Sequence, residues 1–235
     1  MTDSLLHTSV VIPMLNEEDS IGKVLNALPK VHQVIVVDNG STDGSAEVAR
    51  SGGATVIDEP QRGYGKACLT GIAFAVDNAP SNGASVIAFM DGDYSDHPEE
   101  LEMLVQKLDE GYDFVVGSRA TGQRETGAMH FQALFGNWLA CSLIRLFWGA
   151  KFTDLGPFRA IRTRALQELK MQDENFGWTI EMQIKAVRAG LKYCEVPVSY
   201  RCRIGKSKIS GTISGTLRAG YKILYTIFRY RFLKG

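Results

Sequence analysis

The chain has 235 residues, of which 45% are apolar and 22% are charged, and its formal net charge is zero. These proportions are those of a globular protein and exclude bulk disorder. The charge is unevenly distributed, since residues 182–235 hold 12 of the 26 Lys and Arg residues and one acid, Glu195. Such a basic segment favours phosphate-bearing partners: nucleic acid, an anionic membrane surface or a phosphorylated substrate.

The first half of the chain alternates short apolar runs with segments of helical apolar spacing. Strands are predicted at residues 8–12, 34–37, 54–57, 85–90 and 113–116. Helices are predicted at residues 20–28, after Ser41, at 65–76 and at 98–108. Strands that are apolar on both faces and separated by helices predict an α/β fold, with a mostly parallel sheet covered by helices.

The second half is less regular. A polar loop is predicted at 120–130, strands at 158–161 and 193–196, and helices at 131–148, 163–169, 178–189 and 212–232. The aromatic helix 131–148 fits either core packing or an amphipathic helix that lies on a bilayer or receives a lipid chain. The final helix is basic and amphipathic, which favours the membrane surface.

The sequence disfavours a secreted, disulfide-bonded protein and a protein that spans a membrane. The four cysteines form no CxxC pair, which favours free thiols in a reducing compartment. Residues 1–7 do not resemble a signal peptide, and the longest apolar candidate, 134–148, is interrupted by Asn137 and Arg145. We therefore expect a cytoplasmic protein without a membrane span, able to bind peripherally to the cytoplasmic face of a membrane.

Ligands of parallel sheets bind beyond the carboxyl ends of the strands, so those ends are the place to look for chemistry. Each of the first five predicted strands is followed by polar or glycine-containing residues. These segments are 13–17, 38–43, 61–66, 91–93 and 117–119. Together they predict one continuous functional rim.

Asp91 and Asp93 follow a buried strand, with Gly92 between them. Carboxylate oxygens suit Mg²⁺ or Mn²⁺, which usually also take oxygens from a substrate phosphate. A solvated turn or a helix cap is the alternative for such a pair taken alone. The position opposite an independent acidic loop favours the metal site.

Two further rim segments are candidates for contacts with a nucleotide. Asp38 can accept hydrogen bonds from a base or ribose, while residues 41–43 offer helix caps. Arg62 and Lys66 flank a glycine-containing segment ahead of a predicted helix, where anions are favoured. The spacing does not match a nucleoside-triphosphatase P-loop.

A basic loop follows the last predicted strand. Its polar residues suited to phosphate are Arg201, Arg203, Lys206, Ser207 and Lys208. Arg gives bidentate phosphate contacts and Lys supplies a point charge. A solvated surface loop is the alternative for this run.

Seven motifs in this order resemble an inverting glycosyltransferase of family 2 with the GT-A fold. More narrowly, the chain resembles the dolichyl-phosphate mannose synthases and polyprenyl-phosphate glycosyltransferases. The motifs are 12–18 (IPMLNEE), 37–44 (VDNGSTDG), 91–99 (DGDYSDHPE), 117–119 (GSR), 153–160 (TDLGPFRA), 178–182 (WTIEM) and 195–198 (EVPV) leading to 205–208 (GKSK).

The resemblance implies a role for each matching position. The nucleotide-sugar site would comprise Pro13, Asn16, Glu17, Asp38, Lys66, Asp91 and Gly92. The metal ligands would be Asp91 and Asp93. Phosphates of donor and acceptor would be held by Arg119, Arg201, Arg203, Lys206, Ser207 and Lys208. The catalytic set would be Asp91, Asp93, Asp154 and Arg119, with Asp154 and Glu181 facing the acceptor.

The resemblance also implies a domain plan. Residues 1–210 would form the catalytic domain, with a nucleotide-binding half (1–120) and an acceptor half (121–210), followed by the helix in 211–235. Three positions depart from the usual family pattern. Asn39 stands where many relatives have a second Asp, Asp96-His97 replaces the more usual His-Pro, and 155–157 replaces the commoner Thr-Ser-Gly.

The implied function is metal-dependent transfer of a hexose from GDP-mannose or UDP-glucose to a polyprenyl or dolichyl phosphate. An alternative is a hydroxyl acceptor in a small molecule, a lipid or a cell-surface polysaccharide, which would need a base, with Asp154 as first candidate. A non-catalytic phosphate- or nucleic-acid-binding protein is the remaining alternative. Zero net charge and the Asp91–Asp93 pair disfavour it, so we expect no nucleic-acid partner.

Overall fold

The computed structural model describes residues 3–78, 86–205 and 213–232. Its seven strands are β1 (Thr8–Met14), β2 (Gln33–Asp38), β3 (Thr55–Asp58), β4 (Val86–Phe89), β5 (Phe114–Ser118), β6 (Arg159–Arg162) and β7 (Tyr193–Pro197). Its α-helices are α1 (Glu18–Ala27), α2 (Ser45–Ser51), α3 (Tyr64–Asp77), α4 (Leu101–Asp109), α5 (Phe131–Trp148), α6 (Thr163–Leu169), α7 (Trp178–Arg188) and α8 (Ile213–Phe232). Short 3₁₀ helices span Asp3–His7 and Pro98–Glu100.

All strands belong to one sheet with the order β3-β2-β1-β4-β6-β5-β7. Every neighbouring pair is parallel except those made by β6, which runs antiparallel to both β4 and β5. The mostly parallel sheet flanked by helices confirms the predicted fold class. Strand β6 lies between β4 and β5, so the sheet crosses the predicted boundary at residue 120. The division into two halves and a terminal helix stays a prediction.

The sheet separates two apolar cores because successive strand residues point to opposite faces. Val11 and Phe89 pack on one side with residues of α3 and α5 to α8. Val10 and Ala88 pack on the other side with α1, α2 and α4. Strand β3 lies at the edge and is only partly buried, whereas all four residues of β4 are buried. The two-sided burial explains the uninterrupted apolar runs seen in the sequence.

Helix α5, predicted either to pack in the core or to be an amphipathic surface helix, is buried on one face and exposes aromatic residues on another. Ala140, Cys141 and Ile144 enter the core, while Phe131 and Trp138 are 77% and 61% exposed. The helix packs against α8 through aromatic contacts of Phe147 with the C-terminal end of α8. Core packing and an exposed aromatic surface therefore occur on different faces of one helix.

No helix within the described ranges is both long enough and apolar enough to cross a bilayer.

Candidate active site

A pocket of about 320 Å³ opens at the carboxyl edge of the sheet, as the strand-end rule predicts. Its walls come from the ends of β1, β2 and β4, from the start of α3, and from two distant segments around residues 175–176 and 203. Six of the predicted site residues line it: Pro13, Glu17, Asp91, Gly92, Asp93 and Arg203. The volume lies in the range of small-molecule sites.

The carboxylates of Asp91 and Asp93, two of the three acids that line the pocket, are oriented by different partners. Tyr64 Oη donates to Asp91 Oδ1 at 3.1 Å. The backbone N–H of Ser95 donates to Asp93 Oδ1 at 2.9 Å, and the Ser95 hydroxyl donates to the same oxygen at 2.5 Å. Between these residues Tyr94 adopts φ +62°, a region that a bulky side chain rarely enters. Such conformations cluster at functional sites.

Arg203 joins two acids across the pocket. Its Nη2 lies 3.0 Å from Asp93 Oδ2 and 3.3 Å from Glu17 Oε1. The Arg203 side chain is 31% exposed, whereas that of Asp93 is 4% exposed. A guanidinium has five N–H donors, so Arg203 can bind these acids and still offer donors to an anion in the pocket. The predicted phosphate-binding residue therefore lies beside the predicted metal ligands.

The carboxylates of Asp91 and Asp93 are chemically suited to a hard divalent cation. Burial and the nearby Asp93 carboxylate raise the pKa of Asp91 above that of an ordinary aspartate, although Arg203 and Tyr64 oppose the shift. Two desolvated acids of like charge are stabilised by a cation held between them. Across the described ranges no group of three His, Cys, Asp or Glu side chains could hold a metal. Two carboxylates suffice for Mg²⁺, which keeps waters and substrate phosphates as its other ligands.

Asp96 and His97, the positions that depart from the family pattern, differ in location. Asp96 is 1% exposed, and its Oδ1 is buried without a hydrogen-bond partner within the described residues. Its other oxygen accepts a long 3.4 Å bond from the Asp91 backbone N–H. His97 instead pairs with Glu99 at 2.9 Å. Of these two residues, Asp96 therefore lies next to Asp91 of the carboxylate pair, whereas His97 points to Glu99.

Asn39 lines the pocket and fastens the neighbouring loop. Its Nδ2 donates to the carbonyls of Glu59 and Gln61 at 3.0 and 2.8 Å, and its Oδ1 accepts from the Gly63 N–H at 2.8 Å. An aspartate could not donate to either carbonyl. The departure from the usual second Asp therefore has a local structural reason.

The glycines of segment 62–66 allow the backbone of residues 173–174 to approach closely, rather than a ligand. A Cβ on Gly63 would lie 2.2 Å from the Glu174 carbonyl oxygen, and one on Gly65 would lie 2.1 Å from that of Asp173. The Lys66 N–H donates to the Glu174 carbonyl at 2.8 Å. The start of α3 is thus covered by the segment that places Asn175 and Phe176 in the pocket.

Three residues predicted for the nucleotide-sugar site do not line the pocket in the described part of the chain. Asn16 Oδ1 accepts from the Thr42 N–H at 2.8 Å, and Asp38 Oδ1 accepts from the Ser41 N–H at 2.9 Å. Lys66 Nζ lies 3.7 Å from a carboxylate oxygen of Glu174. These contacts hold the loops that form the pocket, and direct nucleotide contacts of these residues stay predictions.

Arg119 and Asp154 form a closed pair below the rim. Arg119 Nε and Nη2 donate to the two carboxylate oxygens at 2.8 and 2.7 Å, and the Arg119 backbone N–H donates at 2.7 Å. The side chains are 12% and 1% exposed, and the Arg119 guanidinium also lies 5.0 Å from the Tyr200 ring centroid. Asp154 is thus enclosed and fully paired, a setting typical of a residue that orients its neighbour.

Of the predicted phosphate-binding loop, the structure describes only the first part. Arg201 stacks on Tyr94, 3.8 Å from the ring centroid, and donates to the Asp96 carbonyl at 3.2 Å. Arg203 reaches the pocket. Lys206, Ser207 and Lys208 lie outside the described residues.

Tyr64, Asn175 and Phe176 are among the pocket-wall residues that the sequence analysis did not assign to the site. Tyr64 lies inside a motif that was singled out for its cations and glycines. Asn175 and Phe176 lie in a segment without a strand end or a motif. Only the approach of residues 173–175 to the glycines of segment 62–66 brings them there, and local sequence carries no signal for that contact.

The mostly parallel sheet and the pocket at its carboxyl edge are typical of α/β proteins that bind ligands beyond the ends of their strands. The profile of glycosyl transferase family 2 matches residues 9–170, and the chain belongs to this family.

Relatives match this chain over most of their length. An uncharacterized glycosyltransferase of Mycobacterium tuberculosis is 36% identical over 214 residues, which cover 90% of this chain and 93% of the relative. A polyprenol monophosphomannose synthase of Mycolicibacterium smegmatis is 30% identical, covering 87% and 82%. A dolichyl-phosphate hexose transferase of Haloferax volcanii is 32% identical, covering 88% of each chain.

A solved structure has the same fold. Glucosyl-3-phosphoglycerate synthase from Mycobacterium tuberculosis, in complex with Mn²⁺, UDP and glucosyl-3-phosphoglycerate, matches with a TM-score of 0.75 at 21% identity. The match covers 97% of this chain and 81% of that chain. It confirms a GT-A fold for this protein.

Proposed function

We propose that this glycosyltransferase transfers a hexose from a nucleotide-diphosphate sugar to a polyprenyl or dolichyl phosphate, with inversion at the anomeric carbon. The observation that carries the proposal is the meeting of Asp91, Asp93 and Arg203 in one pocket at the carboxyl edge of the sheet. A carboxylate pair suits a divalent cation and a guanidinium suits phosphate, so a diphosphate matches both.

The donor would enter with its nucleoside against the end of β1. Pro13 and Glu17 line that side of the pocket, and Asn39 holds the adjoining loop. The diphosphate would then reach the carboxylate pair. Asp91 and Asp93 would hold Mg²⁺ or Mn²⁺, which supplies charge neutralisation of the diphosphate leaving group. Arg203 would add donors where negative charge develops.

The acceptor phosphate needs no general base, because it is already ionised at neutral pH. One of its oxygens forms the new bond to the anomeric carbon while the bond from that carbon to the β-phosphate oxygen breaks. The nucleoside diphosphate leaves on the opposite face. Positioning of the two phosphates supplies most of the rate in such a reaction.

Asp154 supports this choice of acceptor. A hydroxyl acceptor would require a base within hydrogen-bond reach of the reacting oxygen. Asp154, the first candidate for that role, is 1% exposed and gives both carboxylate oxygens to Arg119. We therefore propose that Asp154 positions Arg119, whose two side-chain bonds to Asp154 leave other N–H groups for a phosphate.

The lipid part of the acceptor is supported by relatives and by surface chemistry. Two relatives at 30% and 32% identity are named for polyprenol and dolichyl phosphates. Phe131, Phe135 and Trp138 are exposed along α5, at 77%, 52% and 61%. Exposed aromatic residues on a helix suit a membrane interface or an isoprenoid chain. We propose peripheral contact with a membrane through this surface.

The experiment is release of nucleoside diphosphate from GDP-mannose and UDP-glucose, with Mg²⁺ or Mn²⁺, with and without a polyprenyl phosphate. Metal-dependent release stimulated by the lipid phosphate is the expected result. Metal-dependent release that only a hydroxyl compound stimulates would retain the family activity and replace the acceptor. No release with any donor, in a protein that binds nucleotide, would refute the proposed reaction.

A further inference from the structure

The pocket wall formed by Asn175 and Phe176 belongs to a segment, residues 172–177, that we call the wall loop. On its inner side the wall loop contacts the start of α3. The Glu174 carbonyl accepts from the Lys66 N–H at 2.8 Å, and Glu174 Oε2 accepts from Gln61 Nε2 at 2.9 Å. The wall loop has no helix or strand of its own until α7 begins at Trp178. Its position therefore depends on the contacts that it makes with neighbouring elements.

Glu181 of α7 holds the wall loop from one side. Its carboxylate accepts from the backbone N–H groups of Gln172 and Asp173, at 3.1 and 2.7 Å. The same carboxylate accepts from the Tyr230 hydroxyl of α8 at 2.7 Å and lies 2.8 Å from Lys185 Nζ. Glu181 is 1% exposed. The sequence motif had suggested that Glu181 faces the acceptor, whereas the structure places it between the wall loop and α8.

Asp173 connects the wall loop to α8 a second time. Its Oδ1 accepts from the backbone N–H groups of Asn175 and Gly177, at 2.8 and 3.2 Å. Its Oδ2 lies 2.8 Å from Lys222 Nζ of α8, and the Asp173 side chain is 7% exposed. One carboxylate thus orders the backbone on both sides of Phe176 and binds a cation from α8.

The contacts of α8 form one stripe of the helix. Lys222, Thr226 and Tyr230 are spaced four residues apart, so they lie on the same face. Thr226 is 3% exposed and packs so closely on the wall loop that a Cβ on Gly177 would lie 2.6 Å from its Oγ1. The other face of α8 is open, with Tyr221 at 72% exposure. Helix α8 therefore has an inner face that binds the wall loop and an outer face that does not.

We infer that Lys222 and Tyr230 of α8 are positioning residues for the donor pocket: they hold the wall loop, through Asp173 and Glu181, in the conformation that binds the nucleotide. This inference rests on the proposed function, because it takes the pocket as the donor site. It gives the C-terminal helix a role beyond membrane contact. By linkage, a nucleotide that binds the ordered wall loop also strengthens the docking of α8 to the same extent.

The test is calorimetric titration of UDP and GDP with Mn²⁺ into the full chain and four variants. Lys222→Gln and Tyr230→Phe remove the two inner contacts. Arg218→Gln removes the same charge from an exposed position one turn before Lys222, and Tyr221→Phe removes the same hydroxyl from the outer face. We expect the inner-face variants to raise the Kd of the bound nucleotide by roughly 5-fold or more, the lower range of coupling between sites, with both controls unchanged.

A second readout separates positioning from a general loss of stability. Hydrogen exchange of residues 172–177 should be faster in Lys222→Gln and Tyr230→Phe, and nucleotide should slow exchange in α8 of the parent chain but less in these variants. Lys222→Arg should restore most of the affinity. If Tyr230→Phe unfolds, Lys222→Gln, at a half-buried position, carries the test.

The outcomes are distinct. Parent chain that binds no nucleoside diphosphate would refute the proposed donor site. Parent chain that binds, with unchanged Kd in Lys222→Gln, would overturn the role of α8 and leave the proposed function intact. Equal weakening in the inner-contact variants and in the exposed controls would also overturn it, since it would show a general effect of substitutions in α8.

Discussion

Two acid–arginine pairs lie near the carboxyl edge of the sheet: Asp154 with Arg119, which we call the closed pair, and Asp93 with Arg203, which we call the open pair. They differ in how far their hydrogen-bonding groups are bound to each other and in how exposed they are. Asp154 and Arg119 are joined by two side-chain bonds and a backbone bond, with side chains 1% and 12% exposed. Arg203 reaches Asp93 and Glu17 from a position that is 31% exposed. In the closed pair both Asp154 oxygens are bound to Arg119, so Asp154 can only orient that guanidinium, whereas Arg203 in the open pair can exchange an acid for a ligand. Asp154 is therefore assigned to positioning and stability, and the open pair to donor binding.

The largest expected effect is the loss of stability when the closed pair is broken. Asp154→Asn should lower the free energy of unfolding by about 3–5 kcal/mol, because removal of one partner leaves a buried charge uncompensated. Denaturant unfolding followed by circular dichroism measures this change. An Asp154→Asn variant as stable as the parent would contradict the role of this pair in holding the fold.

Breaking the open pair should have its main effect on chemistry. Asp93→Asn should reduce kcat/KM for sugar transfer about 100- to 1000-fold, the range seen when one electrostatic stabiliser is removed. Asp58→Asn, which removes an exposed acid 3.9 Å from Arg50, is the matched control and should leave kcat/KM unchanged. Nearly full activity in Asp93→Asn would exclude a role for this carboxylate in donor binding.

Arg203→Gln sharpens the comparison, because it removes the cation that now neutralises Asp93. Without nucleotide, Mn²⁺ should bind this variant about 5-fold more tightly, since no guanidinium competes for the carboxylate. With a nucleoside diphosphate present, nucleotide affinity should fall instead, because a phosphate donor is lost. Electron paramagnetic resonance of free Mn²⁺ measures the first effect and calorimetry measures the second. Weaker Mn²⁺ binding in the absence of nucleotide would contradict the idea that Mn²⁺ competes with Arg203 for the Asp93 carboxylate.

The smallest effect is expected at the wall loop. Burial favours the neutral form of Glu181, yet hydrogen bonds from Lys185, the Asp173 backbone and Tyr230 hold its pKa below the ordinary value of 4.5. A depressed pKa stabilises the fold above the unfolded-state pKa, and this contribution is lost as the pH falls. The stability difference between parent and Glu181→Gln should therefore shrink below about pH 4.5. Chemical denaturation at pH 7 and pH 4 measures it, and a pH-independent difference would show that the carboxylate charge is not involved.

Predictions from sequence were accurate where the signal is local. Helices α5 and α6 begin and end at the predicted residues, and each is followed by a residue in the left-handed conformation, Gly149 and Lys170. The carboxyl ends of β1, β2 and β4 supply the pocket, as their polar ends indicated. The roles of the individual site residues remain predictions for the experiments above.

The sequence by itself determined the strands, the helices, the edge of the sheet that carries the pocket and the family. Only the tertiary structure decided that β6 enters antiparallel between β4 and β5, that Arg203 meets Asp93, and that the wall loop lies on Gly63. The physical reason is separation along the chain. Periodicity reports which face of an element is buried, whereas contacts between residues about a hundred positions apart depend on strand order and on the close packing of particular side chains.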